Sequence, residues 1–385
     1  MTEGRKSMLG FRRTIVVISA AVCVLAACAT LQAQASPQQA RPPAKWRIVQ
    51  AFEGRLYYVL NMTAPGRSDA WAFGIGSGGK TLALHWNGET WTASYPPSVT
   101  RVQETASSSP DNVWVAGDCN QSVSQWNGHR WTTTALSGLK LRSCVSSVVT
   151  TGPDSGWLFT GYELSTIGVH FNGRTWQTVT LGKFGGVVAA SAVSASDIWL
   201  LTFTTSARTQ LVHFDGKTWR KVAVPAPSLP KGEVLVPQAL TTAGARSVWA
   251  TAQIWTSQDM MPSSPPDSLL LHWNGQAWKW IPLPGSTQAL PPIAPDGASG
   301  AWVVGAGITR GNPLAAYYFL HWTGRGWTGQ RAPVNGIPGT GVATYDVFSL
   351  AHVPGTQSVL ASGQVDYNVP AGRDFTAVIY GYGHP

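Results

Sequence analysis

LHWNGETW, from Leu84 to Trp91, is a phrase this chain repeats. SQWNGHRW ends at Trp131, VHFNGRTW at Trp176, VHFDGKTW at Trp219, LHWNGQAW at Trp278 and LHWTGRGW at Trp327. A second phrase precedes each copy: Asp69-Ala70-Trp71, Asp111 to Trp114, Asp154 to Trp157, Asp197-Ile198-Trp199, and a looser Asp296 to Trp302. Trp249, in RSVWATA, keeps the tryptophan without the acid. The second-phrase tryptophans lie 43, 43, 42, 50 and 53 residues apart. A period of roughly 40–50 residues with strand-like content is the signature of a β-propeller.

Each unit divides into four short strands. In the second, VTRVQETA, VWVAG, SVSQW and RWTTTAL are separated by turn residues. Asn-Gly suits a tight hairpin because both residues tolerate positive φ. Read as a two-residue turn, Asn87-Gly88 pairs Trp86 with Glu89 and Leu84 with Trp91. Alternation then places Leu84, Trp86 and Trp91 on one face of the sheet and His85 and Thr90 on the other. Blades stack face to face around an axis, so each must fill a wedge that widens with radius. Tryptophan is the largest apolar filler and carries an N–H that can find a partner.

Six full units are visible. A seventh has Leu360 where the second-strand tryptophan is expected, and TAVIYGYG supplies a third strand before the chain stops. The missing fourth strand is found at the other end, in AKWRIVQ around Trp46. The reading is therefore all-β: a propeller of seven four-stranded blades, closed by an N-terminal strand that completes the last one. Closure removes exposed sheet edges. Six or eight blades are the alternatives if the long later units lose or hide strands.

Composition agrees with a turn-rich β protein: 41 glycines, 26 prolines and only 12% charged residues. Residues 1–27 read as a signal peptide. Arg5, Lys6, Arg12 and Arg13 precede an uncharged run from Thr14 to Ala27. Leu25-Ala26-Ala27-Cys28 resembles a bacterial lipobox, which implies cleavage before Cys28 and lipid on its sulfur. Arg12-Arg13 leaves the export route, general secretory or twin-arginine, open. Residues 28–44 are polar and proline-bearing and read as a tether, leaving 45–385 for the propeller. Removing residues 1–27 takes four basic residues and Glu3 from totals of 27 and 18, which leaves a net charge of +6. That charge is spread out, without a run that would mark nucleic-acid binding. In an exported protein Cys119 and Cys144 are expected to form a disulfide between neighbouring blades.

The combination of HWNGxxW with SxxDxWxxG resembles the secreted propeller-repeat proteins of actinobacteria, over about residues 46–383, and is loosely similar to kelch and Asp-box propellers. The resemblance implies the fold and little about activity. DGKTW, from Asp215 to Trp219, resembles the sialidase Asp-box, a structural turn even in the enzymes.

Five histidines, His85, His170, His213, His272 and His321, share one repeat position. Third strands stand one per blade, too far apart for the roughly 2 Å bonds of a shared metal. A local carbonyl or the facing Thr or Ala is their expected partner. The repeat aspartates are expected to accept backbone N–H bonds in turns. No P-loop, HExxH, CxxC or nucleophile elbow is present. No cofactor and no metal are expected. Binding residues concentrate on long loops over a rigid frame. The variable loops are those between second and third strands and between blades, as in Ile254–Ser268 and Gln364–Phe375. The candidate ligand face thus carries Trp255, Met260, Met261, Arg310, Asp366, Tyr367, Arg373 and Asp374. The expected function is non-catalytic binding or scaffolding by a monomer, lipid-anchored at the outer face of the cytoplasmic membrane. Its partner is an envelope protein or glycan, and no nucleic acid. The alternative is a secreted enzyme acting on glycans or small molecules at the top face.

Overall fold

The computed structural model describes residues 44–383 apart from 53–55, 77–78, 97–101, 118, 120–121, 140, 142, 161–165, 257–267, 285–287, 307–316, 335–336, 338–341 and 371. Residues 1–43, which hold the expected signal peptide, Cys28 and most of the expected tether, lie outside the described residues. Strands form seven four-stranded antiparallel sheets, each paired in chain order from the innermost strand outward. Blade 1 runs Leu56–Gly66, Asp69–Gly76, Thr81–Trp86 and Trp91–Ser94. Blades 2 to 6 occupy Val102–Ala135, Val145–Gly182, Gly186–Val222, Glu233–Pro282 and Gln288–Arg331. Blade 7 takes three strands from Val342–Tyr382, and Arg47–Phe52 pairs with the last of them as its outermost strand.

The repeat turn departs from the two-residue hairpin. Trp86 pairs with Trp91, Leu84 with Ala93 and His85 with Thr92, so four residues make the loop. The reason is local. The Asn87 side-chain oxygen accepts N–H bonds from Glu89 and Thr90, at 3.0 and 2.9 Å. Gly88 follows at φ 97°, where a Cβ would come within 2.9 Å of Ser68. Asn127, Asn172, Asp215 and Asn274 cap their loops in the same way. At Asp215 the N–H groups of Thr218 and Lys217 hold the carboxyl below its usual range. The longer loop keeps Leu84, Trp86 and Trp91 on one face, and Thr92 rather than Thr90 joins His85 on the other.

The tryptophans fill the wedges by clasping neighbours. Trp71 is 1% exposed and meets Trp126 and Trp131 of blade 2, at centroid distances of 5.3 and 5.4 Å. Trp114 meets Phe171 and Trp176 of blade 3, and Trp157 meets Trp219 of blade 4. Each second-strand tryptophan is thus buried by the outer aromatic pair of the next blade. Removing such a side chain costs about 3–5 kcal/mol. The same clasp closes the ring: Trp302 of blade 6 meets Trp46 at 5.3 Å, and Trp46 stacks on Phe319 at 3.7 Å. Blade 7 has Leu360 in place of the tryptophan; it joins a core with Val59 and Leu84, against which Phe52, Trp86 and Trp91 pack.

Cys119 and Cys144 form a disulfide with a Cα separation of 4.3 Å. It ties the loop after Asn112–Gly117 in blade 2 to the residue preceding Val145, where blade 3 begins. Gln364–Phe375, read as a loop from sequence, instead lies in a long regular hairpin of Val359–Val369 and Gly372–Tyr382. Tyr367 faces Asp374 and Asp366 faces Phe375 in its register. Alternating residues there meet the period of a strand, which the polar composition had obscured.

Candidate functional site

Every innermost strand shares a register shift at an equivalent position, beside others that differ between blades. The register shifts between Val59 and Asn61, Val102 and Glu104, Val145 and Ser147, Val187 and Ala189, Pro237 and Ala239, Ala289 and Ile293, and Val347 and Ser349. A bulge adds twist and re-aims the side chains that follow it. Those residues line a cavity of about 410 Å³ to which all seven blades contribute. Its wall alternates methyl and hydroxyl groups: Ala64, Ala106, Ala192 and Ala351 among Thr63, Ser107, Thr150, Ser191 and Thr242. It lies toward the turns that join first to second strands, opposite the loops expected to form the ligand face.

Several of these hydroxyls tie adjacent blades together. Thr63 Oγ1 and Ser107 Oγ are 2.5 Å apart, and Ser191 Oγ and Thr242 Oγ1 are 2.8 Å apart. Ser191 Oγ also accepts from the Thr242 N–H at 3.1 Å. The Asn112 amide donates to Thr150 Oγ1 at 2.9 Å. Among the described residues, His352 is the one titratable side chain in the lining. Its Nε2 lies 2.8 Å from the Thr356 carbonyl, which only accepts, so Nε2 carries the hydrogen.

Glu104 follows the blade 2 bulge, next to the lining residues Thr105 and Ala106. It has no hydrogen-bond or ion-pair partner among the described residues. Protein surrounds the carboxyl, and burial pushes its pKa up to about 8. The residue still keeps some accessible surface. The ring at this height therefore holds a neutral acid at pH 7.

The repeat histidines do not bond to carbonyls or facing threonines as expected. His85 Nε2 lies 2.8 Å from Asp69, His213 2.8 Å from Asp197 and His321 2.9 Å from Asp296. Each ring stacks on its own blade's tryptophan, His85 on Trp71 at 4.1 Å and His321 on Trp302 at 4.2 Å. Asp197 serves both neighbours, accepting from Trp199 Nε1 at 2.8 Å as well. Only Asp296 also caps its turn, accepting from Ala298 and Gly300 N–H groups. Asp and His sit 16 residues apart in blades 1 and 4 and 25 apart in blade 6 but face each other in space, which a reading of single phrases does not reveal.

Of the residues expected on the ligand face, Met260, Met261 and Arg310 lie outside the described residues. Trp255 sits in a strand opposite Val234 and donates from Nε1 to Gln253 Oε1 at 3.2 Å. Tyr367 is 6% exposed, and its hydroxyl accepts from Thr376 Oγ1 at 3.3 Å. Asp366 accepts from the Gln364 amide. Asp374 is exposed, and the backbone of Arg373 lies in the same strand. Sequence reading missed the axial cavity. Its signal was a run of small and hydroxyl residues before the second strand, as in ETASSS, SVVTTG and ALTTAG.

Neither a scan against protein-family models nor a search of curated proteins returned a match. Solved structures do match. YCF48 from Cyanidioschyzon merolae aligns with a TM-score of 0.55 at 14% identity, over 88% of this chain and 98% of that one. YCF48 bound to D1 peptide gives 0.54 at 12% identity, over 89% and 96%. The Cps50 (Swd1) β-propeller domain of Myceliophteria thermophila gives 0.54 at 10% identity, over 87% and 99%. The likeness is one of fold: this chain is a seven-bladed β-propeller.

Proposed function

We propose that the protein is a non-catalytic binding or scaffold propeller, held at the cell envelope by lipid on Cys28, that receives part of an envelope protein or glycan in its axial recess. The recess is the observation that carries this reading. Seven strands bring hydroxyl donors and acceptors and methyl groups to one cavity, and adjacent blades hold those hydroxyls in place. Such a wall recognises a ligand by shape and hydrogen bonds, with little ordering cost. Its titratable His352 is already engaged. YCF48, bound to D1 peptide, is a precedent for peptide binding on this architecture. The envelope location rests on residues 1–28 and agrees with the surface disulfide.

The test is capture of envelope components by the full-length protein, followed by affinity measurement with the purified component. Ala192→Phe places a ring in the recess and is expected to weaken binding about tenfold. Unchanged affinity in that variant puts the site elsewhere. Turnover of the captured component by wild-type protein overturns the non-catalytic assignment.

A further inference from the structure

Blades 5 and 6 meet in a second cavity of about 360 Å³, lined by their third-to-fourth-strand turns. His272, Asn274 and Lys279 come from blade 5, and Ser299, Trp322 and Arg325 from blade 6. Comparison with the other blades shows what is particular to it.

His272, like His170 in blade 3, is a repeat histidine without an acid partner among the described residues. Blade 5 has Ser247 at the position of Asp69 and Asp197, two residues before the tryptophan. The Ser247 hydroxyl accepts from Trp249 Nε1 at 3.0 Å. His272 keeps the stack on Trp249, at 3.5 Å, but has no hydrogen-bond partner among the described residues. Burial holds it down to about 4, so the ring is neutral at pH 7, with one donor and one acceptor nitrogen.

Lys279 pairs directly across from His272. In blade 4 the equivalent cation, Arg220, lies 3.9 Å from Asp215, the first residue of its own turn. In blade 5 that turn begins with Asn274. Its Oδ1 is taken by the Gln276 and Ala277 N–H groups at 2.9 Å, which leaves the amide NH₂ as a donor. Lys279 and Arg325 are exposed and have no ion-pair partner among the described residues. Among the described residues no acidic side chain lines the cavity. Trp322 supplies an aromatic wall beside these polar groups.

We infer that this inter-blade groove binds an acidic saccharide unit, with its carboxylate between Lys279 and Arg325, its hydroxyls on His272 and Asn274, and its ring against Trp322. Two cations and no acid select an anion, and the arginine fork matches a carboxylate. A neutral imidazole and an amide beside an indole suit a polyol better than a bare ion. The groove shares no lining residue with the axial recess, so either site can fail without the other.

The test is calorimetric titration of the full-length protein with a galacturonate tetramer, an uncharged galactose tetramer, a glutamate tetrapeptide and inorganic phosphate. The acidic saccharide is expected to bind, and the uncharged one to bind at least about tenfold more weakly. The Lys279→Ala/Arg325→Ala double variant should lose about tenfold in affinity. His272→Phe, which keeps a ring on Trp249 but removes the nitrogens, should lose affinity as well. Arg174→Ala/Lys217→Ala, at the positions of Arg325 in blades 3 and 4, should bind like wild type. The inference is overturned if the acidic saccharide does not bind, or if Lys279→Ala/Arg325→Ala leaves affinity unchanged. It is equally overturned if the blade 3 and 4 pair loses as much, or if the tetrapeptide or phosphate binds as tightly as the saccharide.

Discussion

Glu104→Gln separates the electrostatics of the axial wall from its packing. Gln has the shape of the protonated acid and does not ionise. The folded carboxyl has a pKa of about 8 against the usual 4.5, because burial disfavours its charge. A raised pKa means that the fold binds the proton more tightly than the unfolded chain does. The group's contribution is therefore fully present below about pH 4.5 and is lost as pH rises through about 8. A shift of that size corresponds to at most about 5 kcal/mol, at about 1.4 kcal/mol per unit. Water reaches part of Glu104, so about 2–3 kcal/mol is the expected share. The assay is denaturation of wild type and Glu104→Gln from pH 4 to pH 9. Their stabilities should coincide near pH 4 and diverge from about pH 4.5 to about pH 8. By pH 9 the variant should be the more stable by about 2–3 kcal/mol, which is several degrees in midpoint. Parallel curves across that range would refute the reasoning, since every other titrating group is common to both proteins.

Trp46→Ala removes the tryptophan that locks the N-terminal strand to blades 6 and 7 and should cost about 3–5 kcal/mol. Limited proteolysis should then release the N-terminal strand before any other segment; an unchanged cleavage pattern would show that the clasp does not hold the ring. The Cys119→Ala/Cys144→Ala variant should lose about 3 kcal/mol through the freed 25-residue separation, and reductant should lower the wild-type midpoint to meet it. Cys28→Ser, read from the proposed lipid anchor, should move the protein from the membrane fraction to the medium or leave it unprocessed; unchanged retention with normal processing counts against the anchor.

The sequence by itself determined the blade unit, the closure and the disulfide. These are matters of period and of chemistry held in short phrases. Asn-Gly before Trp marks a turn, and a tryptophan every forty-odd residues marks a wedge to be filled. The strand after Trp46 had to pair with the last blade because that blade lacked a strand. Tertiary structure alone decided what faces what across those phrases. The histidine and its aspartate meet because their strands are adjacent. The turn lengthens to four residues because the Asn87 side chain competes for two N–H groups inside it. The axial cavity is lined by residues that follow a register shift in each innermost strand, and no single strand's sequence shows that they converge. His272 lacks an acid because Ser247 stands where blades 1 and 4 have aspartate, which the sequence shows; only the pairing of adjacent strands sets His272 opposite Trp249.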